Sequence, residues 1–162
     1  MADRVPGRVA PGPGSRFEDW LQEQGLGLEV RRYPAGTRTA VDAARAIGCD
    51  VAQIVKSLVF TVDGQPVIVL VSGANRLDPG RLEALTGAPV GRADADAVRA
   101  ATGYAIGGVP PFGHATPLPT YMDADLTALD VVWAAAGRPD AVFPIAPGRL
   151  AELSGAQVAQ LA

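Results

Sequence analysis

Two runs rich in β-branched residues lie close together in the stretch Ile54-Val55-Lys56-Ser57-Leu58-Val59-Phe60-Thr61-Val62-Asp63-Gly64-Gln65-Pro66-Val67-Ile68-Val69-Leu70-Val71. The three residues between the runs, Asp63-Gly64-Gln65, begin with a dipeptide that strongly favours a tight turn between antiparallel strands. The sequence therefore predicts a β-hairpin, with strands at 54–62 and 66–71, at the centre of the fold.

Lys56 is the only lysine of the chain and lies inside the first run; the other thirteen of the fourteen basic residues are arginines. An ammonium placed in a strand loses hydration unless an anion or hydrogen-bond acceptors replace the water. Lysine also differs from arginine because burial readily lowers its pKa. Two interpretations stay open: a functional residue, or an edge-strand lysine that reaches solvent and prevents aggregation.

Turn and capping signals divide the rest of the chain into short elements. They predict helices that begin near residues 15, 39, 78, 92 and 147, and strands at 28–33, 120–122, 130–134 and 141–145. Because strands and helices do not alternate regularly, we expect an α+β domain with a mixed, mainly antiparallel sheet surrounded by short helices. Residues 1–14 are expected to be a disordered tail, and residues 15–162 to form a single domain.

Composition argues against several classes of function. The net charge of −3 gives no broad basic surface for a long nucleic-acid duplex. Cys49 and His114 are single residues of their kinds, so we expect no zinc site, no metal and no cofactor. A Cys49–His114 catalytic pair stays formally open, although Cys49 follows a helix end and is typical of a turn. The chain has no apolar stretch of membrane-spanning length and no signal-peptide pattern, and we expect a soluble, cytoplasmic protein without membrane association.

A second informative stretch is Gly103-Tyr104-Ala105-Ile106-Gly107-Gly108-Val109-Pro110-Pro111-Phe112-Gly113-His114. Its adjacent glycines permit positive φ and a close approach of another molecule to the backbone, while its prolines stiffen the loop. Exposed backbone N–H groups there could bind a carbonyl or phosphate oxygen. The alternative is a tight turn with a structural role only.

The two motifs together resemble the YbaK/ProX family, the editing domains related to the insertion domain of bacterial prolyl-tRNA synthetase. The resemblance is carried by Gln53-Ile54-Val55-Lys56-Ser57-Leu58-Val59-Phe60 and, about fifty residues later, Thr102-Gly103-Tyr104-x-x-Gly107-Gly108-Val109-x-Pro111-x-Gly113. It runs from about Phe17 to Leu161. It implies a freestanding aminoacyl-tRNA deacylase, a hydrolase that cleaves the ester between a wrong amino acid and the terminal adenosine of tRNA, often the tRNA for proline.

The resemblance also implies roles for individual residues. Lys56 would be the catalytic residue, whose ammonium holds a phosphate or the aminoacyl ester. Gly107 and Gly108 would offer N–H groups to the ester carbonyl, in a loop held rigid by Pro111. Ser57 would face the opposite side of the strand from Lys56. The full set of expected substrate-binding residues is Tyr33, Thr39, Ser57, Gly107, Gly108, Val109, Pro111 and Gly113.

The chemistry of such a site needs no Ser-His or metal nucleophile, because positioning, carbonyl polarisation and a water or substrate hydroxyl suffice for an activated ester. His114, with a pKa near neutrality, is a candidate base that the resemblance does not require. The apolar stretch at 132–137 leaves Ala, Cys, Ser or a non-protein amino acid open as the amino acid removed.

The expected partner is the 3′ end of aminoacyl-tRNA, with a synthetase as a further candidate. Binding would use a local basic patch of Arg31, Arg32, Arg38 and Arg45, which equally fits a solvated surface. Two other classes of function stay open: a non-hydrolytic module that binds a tRNA end or a synthetase, and an enzyme that uses Lys56 as a Schiff-base nucleophile.

Overall fold

The computed structural model of the protein describes residues 16–34, 37 and 39–162. The expected tail at 1–14, the capping residue Ser15 and Arg38 lie outside these residues. Within them the helices are α1 (Arg16–Gln24), α2 (Ala40–Ile47), α3 (Pro79–Thr86), α4 (Ala95–Thr102) and α5 (Pro147–Ser154). The strands are β1 (Arg31–Arg32), β2 (Val55–Val62), β3 (Gln65–Ser72), β4 (Val90–Arg92), β5 (Thr120–Asp123), β6 (Val132–Ala135), β7 (Ala141–Ile145) and β8 (Gln157–Ala159).

The predicted hairpin forms the centre of a five-stranded sheet with the order β4-β2-β3-β5-β8. β2 and β3 pair antiparallel over their whole length, from Val55 opposite Ser72 to Val62 opposite Gln65. Positive φ angles of 52° at Asp63 and 78° at Gly64 close the turn, as a primed hairpin turn requires. β5 and β8 add in parallel, and β1, β7 and β6 form a separate antiparallel sheet. The prediction of an α+β fold with mainly antiparallel pairing is confirmed, with the strands divided between two sheets.

Three elements differ from the sequence-based expectation. The helix expected from residue 92 begins at Ala95, because Val90–Arg92 pairs with the end of β2 as β4. The strand expected at 28–33 is reduced to Arg31–Arg32. The sequence pattern does not predict β8. Strands of two or three residues carry no readable periodicity, and they form because an existing sheet edge offers them hydrogen bonds.

Local signals explain why the helices start and stop where they do. The hydroxyl of Thr39 accepts a hydrogen bond from the Asp42 N–H at 3.0 Å and caps α2, which ends at Gly48 with a φ of 82°. Asp78 caps α3 in the same way, and Pro79 fills the first helical position. No helix in the described part of the chain is long and apolar enough to cross a membrane.

Apolar side chains pack on both faces of the central sheet. The larger cluster lies between the two sheets and includes Val55 and Val59 of β2, whereas Leu58 and Phe60 pack against the smaller cluster on the other face. Lys56 therefore shares a face with Leu58 and Phe60 because side chains alternate along a strand.

β2 has an unpaired segment on the side away from β3. β4 pairs there only with Phe60–Val62, and Ile54 makes a single bridge to Trp133. Within the described residues, no strand pairs with Val55–Val59 on this side, and we refer to that segment as the open edge of β2. Half of its backbone N–H and C=O groups point away from β3, since hydrogen bonding alternates along an antiparallel strand.

Candidate active site

A cleft of about 1070 Å³ lies along the open edge of β2 and is lined from both faces of that strand. On the Lys56 face it is bordered by Leu58 and Phe60, together with Arg76, Leu77 and Arg92. On the Ser57 face it is bordered by apolar side chains, among them Val59, Val98 and Val109. The cleft therefore has a basic half and an apolar half, which meet at the strand edge.

Lys56 is held by a backbone oxygen rather than by a carboxylate. Its Nζ donates a hydrogen bond to the carbonyl oxygen of Asn75. Burial lowers the pKa of Lys56 below its usual 10.5, and the charge of Arg76 lowers it further. An ammonium has three N–H donors, so two remain for a ligand in the cleft.

The carbonyl that holds Lys56 belongs to a residue that is itself fixed. The Asn75 side chain donates from Nδ2 to Asp125 at 2.7 Å and to Asp123 at 3.2 Å. Asp123 is 0% exposed and also accepts the Leu161 N–H at 2.8 Å. The position of the lysine thus depends on a buried carboxylate that also holds the C-terminal segment.

All charged side chains that line the cleft in the described part of the chain are basic: Lys56, Arg76 and Arg92. Arg76 and Arg92 are exposed and make no ion pair or hydrogen bond with any described residue. In a chain with a net charge of −3, this arrangement concentrates positive charge in one place. The electrostatics of the cleft therefore favour an anionic ligand.

The glycine-rich loop reaches the cleft through Ile106, Gly107 and Val109. A turn places Gly107 at a φ of 92°, and the Gly108 N–H donates to Ala105 O at 3.0 Å across that turn. The Gly108 N–H is thus already used, which corrects the expectation that both glycines offer N–H groups to a ligand. Gly108 is needed for another reason: a Cβ there would lie 3.0 to 3.1 Å from the backbone of Arg138.

Pro111 and Gly113, at the end of the loop, do not border the cleft. They anchor the loop to the rest of the fold. Pro111 is buried, and Gly113, at a φ of 72°, packs so closely on Trp20 that a Cβ would lie 2.9 Å from the indole ring. His114 bonds to Pro110 O through Nε2 at 2.7 Å, and burial lowers its pKa. This contact makes His114 a loop-anchoring residue outside the cleft.

The other expected substrate-binding residues are divided. Thr39 and Ser57 border the cleft. Tyr33 does not border it and instead packs in a third, small apolar cluster around Trp133. The Ser57 hydroxyl is buried without a hydrogen-bond partner among the described residues, on the opposite face of β2 from Lys56. Cys49 belongs to the same small cluster as Tyr33, and burial raises the pKa of its thiol, which weakens it as a nucleophile.

The expected basic patch is not assembled as predicted. Arg32 is buried in an ion pair with Glu18, the Arg31 guanidinium lies 5.1 Å from the centre of the Trp133 ring, and Arg45 is exposed on α2 without bordering the cleft. Among the described residues, the cations that border the cleft besides Lys56 are Arg76 and Arg92, which sequence reasoning missed. No local motif marks them, because the β3–α3 connection and strand β4 bring them to the cleft only in the folded chain.

Comparison with known proteins places the chain in a family. Residues 34–153 match the family described as the aminoacyl-tRNA editing domain, and the protein belongs to it. A solved structure of a proposed trans-editing enzyme for prolyl tRNA synthetase is 50% identical, with a TM-score of 0.87 over 94% of this chain and 98% of the other. The uncharacterized protein YwhH of Bacillus subtilis is 30% identical over 89% of this chain and 90% of its own length.

The chain is also similar to part of a synthetase. The proline–tRNA ligase of Elusimicrobium minutum is 36% identical over 87 residues, which are 53% of this chain and 15% of the ligase. The resemblance to editing domains related to prolyl-tRNA synthetase, inferred above from two motifs, is thereby confirmed. A role in aminoacyl-tRNA editing follows from the family.

Proposed function

We propose that the protein is a freestanding aminoacyl-tRNA deacylase that removes a small amino acid, such as Cys or Ala, from mischarged tRNA for proline. The observation that carries this proposal is the cleft along the open edge of β2, where Lys56 and the glycine-rich loop meet. Its basic half suits the phosphates of a tRNA end, and its apolar half suits the side chain of a small amino acid. The proposed place of action is the cytoplasm, with a synthetase as an additional partner.

In this proposal Lys56 positions the substrate and does not attack it. Its ammonium, oriented by Asn75 O, keeps two N–H groups for a phosphate oxygen or an oxygen of the ester. This role needs the protonated amine, which is not a nucleophile, whereas a Schiff-base enzyme would need the neutral amine.

Polarisation of the ester carbonyl falls to backbone groups. The Gly107 N–H has no acceptor among the described residues, and the open edge of β2 offers further N–H groups close by. Water attacks the carbonyl carbon, the bond to the ribose oxygen breaks, and the free amino acid and the ribose hydroxyl leave. Fixed donors aimed at the carbonyl oxygen stabilise the negative charge that develops in this step.

The polarity of the apolar half supports an uncharged amino acid. Val59, Val98 and Val109 border it, and no acidic or basic side chain of the described residues lies on that face of the cleft. A charged amino acid would lose its hydration there without gaining a partner, whereas Ala or Cys would not. Selection among small uncharged side chains would then depend on volume.

The test is release of amino acid from mischarged tRNA for proline carrying Ala, Cys or Ser. We expect wild-type protein to release at least one of them and Lys56→Ala to lose most of that activity. Arg45→Ala, which changes an exposed arginine outside the cleft, serves as the matched control. Absence of release from all three substrates would contradict the proposal.

A second candidate function, a non-hydrolytic binding module, has one observation in its favour. No Asp, Glu or His side chain borders the cleft in the described part of the chain, so a protein-derived general base is missing there. In that case the protein would bind aminoacyl-tRNA with an affinity that depends on Lys56, without turnover. Single-turnover measurements at protein excess separate the two functions.

A further inference from the structure

We propose that Arg92 binds a backbone phosphate upstream of the terminal nucleotide, so that the single-stranded 3′ end of tRNA enters over β4 and runs along the open edge of β2 to Lys56. This inference rests on the proposed function and adds a binding subsite and a direction to it. The ligand is defined by its chemistry as a single-stranded polynucleotide end that carries an ester at its last ribose.

The position of Arg92 relative to Lys56 is set by the register of the sheet. Arg92 pairs with Phe60, and Phe60 lies four residues beyond Lys56 on the same face of β2. At about 3.3 Å per residue, the two positions are about 13 Å apart along the strand. A ligand that is extended and carries more than one anionic group fits this spacing better than a single small anion.

Phe60 strengthens the assignment to a nucleic-acid end. Its side chain borders the cleft and stands next to Arg92 in the paired strands. Channels that bind single strands combine cations that follow the backbone with aromatic side chains on which bases stack. The pair of Phe60 and Arg92 supplies both at the entrance side of the cleft.

The exposed guanidinium of Arg92 is available to an external partner. Some arginines of the described chain pair with a carboxylate, as Arg32 does with Glu18 and Arg138 with Asp140, whereas Arg45, Arg76 and Arg99 do not. Arg92 has no such partner within the described residues, and no acidic side chain borders the cleft to compensate it. A phosphate would form the charge-assisted hydrogen bonds that the protein does not provide.

The direction follows from which end of β2 is closed. Beyond Lys56 the strand bridges from Ile54 to Trp133, and the Gln53 side chain donates to Val131 O at 3.3 Å. The reactive end, marked by Lys56 and Gly107, therefore lies toward the closed side of the cleft. In this proposal the remainder of the polynucleotide leaves past Phe60 and Arg92, at the other end of the open edge.

The test compares two substrates that carry the same amino acid: mischarged tRNA, and aminoacyl-adenosine, which lacks every upstream phosphate. For Arg92→Gln we expect kcat/KM on the tRNA to fall about tenfold, mainly through KM, as for loss of one charge-assisted hydrogen bond. The same variant should leave kcat/KM on aminoacyl-adenosine unchanged. For this variant, the slope of log KM against the logarithm of the salt concentration should be smaller by about 0.7, as for the loss of one phosphate contact.

Two further variants make the comparison specific. Arg92→Lys keeps the charge and should recover most of the loss on tRNA, while Arg99→Gln, at an exposed arginine of α4 that does not border the cleft, should change kcat/KM less than twofold. Equal losses on both substrates, or no loss on tRNA, would overturn the subsite.

Failure of the proposed function gives a different result. If wild-type protein hydrolyses neither substrate, the hydrolase proposal fails, and the subsite is then decided by binding. An oligoribonucleotide ending in CCA should bind Arg92→Gln about tenfold more weakly than wild type, with adenosine binding unchanged. Equal binding of the oligoribonucleotide by both proteins would refute the subsite without reference to catalysis.

Discussion

At the scale of single residues, the site depends on how one ammonium is held. Lys56 lies half-buried in a strand, with a backbone carbonyl as its protein partner, and no carboxylate of the described residues borders the cleft. A carbonyl orients the amine without neutralising it, so the positive charge stays available for a ligand. The pKa of Lys56 is lowered in this arrangement, because burial and the neighbouring Arg76 both disfavour the charged form.

This pKa predicts the pH dependence of activity. If the ammonium form is needed, activity falls as pH rises through a pKa lower than 10.5, once spontaneous ester hydrolysis is subtracted. Arg76→Gln removes one cause of the lowering and should shift this fall to higher pH. Initial rates between about pH 7 and 10 test both statements, since they span the region below the ordinary lysine pKa. A rate that rises through this range would instead indicate a neutral, nucleophilic lysine.

Gly108 gives a second prediction at this scale. In Gly108→Ala the new methyl group would press on the Arg138 backbone at 3.0 to 3.1 Å, and backbone yields less easily than a side chain. We expect a loss of about 1–3 kcal/mol in the free energy of unfolding, as for overpacking elsewhere, and a displaced Gly107. Urea unfolding and deacylation rates measure the two effects.

Gly148→Ala is the matched control for that substitution. A Cβ at Gly148 meets nothing within 4 Å, and the residue lies in α5, where Ala is the better helix former. It should therefore be neutral or stabilising, with unchanged activity. Similar losses in the two variants would contradict the close packing of Gly108 as the cause.

At the scale of elements, α2 and the glycine-rich loop form walls of the cleft that are joined through one turn. The Thr37 N–H and hydroxyl donate to Pro139 O at 2.7 and 2.9 Å, shortly before α2 begins. Arg138, which precedes Pro139 in the same turn, packs against Gly108. The turn between β6 and β7 therefore sets the distance between the two walls, although none of its residues borders the cleft.

The cap of α2 provides the prediction for this scale. Thr39→Ala removes the hydroxyl that accepts the Asp42 N–H and should reduce the free energy of unfolding by about 1 kcal/mol. Thr39→Ser keeps the oxygen and should behave like wild type in a thermal or urea melt. Activity should follow the same order if Thr39 acts through the helix. A loss of activity in Thr39→Ser with unchanged stability would point to a substrate contact of the methyl group.

At the scale of the whole molecule, one buried carboxylate connects distant parts of the chain. Asp123 at the end of β5 accepts hydrogen bonds from Leu161 near the C-terminus and from Asn75, whose carbonyl holds Lys56. Parallel pairing of β8 on β5 brings Leu161 to this point. The lysine of the site and the last strand of the sheet are thus coupled through two residues.

Asp123→Ala should therefore damage both stability and activity. It leaves the Leu161 N–H without its acceptor, for which about 1–3 kcal/mol of unfolding free energy is expected, and it leaves the Asn75 side chain held by Asp125 alone. Asp125→Ala removes an exposed carboxylate that accepts a hydrogen bond from the same asparagine, and it should reduce the free energy of unfolding much less. Chemical denaturation gives the stability change, and kcat with KM gives the effect on the site. Equal effects of the two variants would contradict the coupling through Asp123.

Much of this architecture was readable from the sequence because it depends on local signals. The hairpin follows from Asp63-Gly64 between two β-branched runs, and α2 and α3 follow from Thr39 and Asp78 as caps. Each of these signals acts through the residue itself and its nearest neighbours, and each holds whatever the rest of the chain does. The same is true of the two motifs, around Lys56 and in the glycine-rich loop, that together indicate the family.

Tertiary structure alone decided how these pieces make a site. It buried Arg32 against Glu18 and brought Arg76 and Arg92 to the cleft in place of the expected arginines. It also added β4 and β8, whose three residues each are strands only because a sheet edge pairs with them. These outcomes depend on contacts between residues far apart in the chain, and no window of sequence contains both partners.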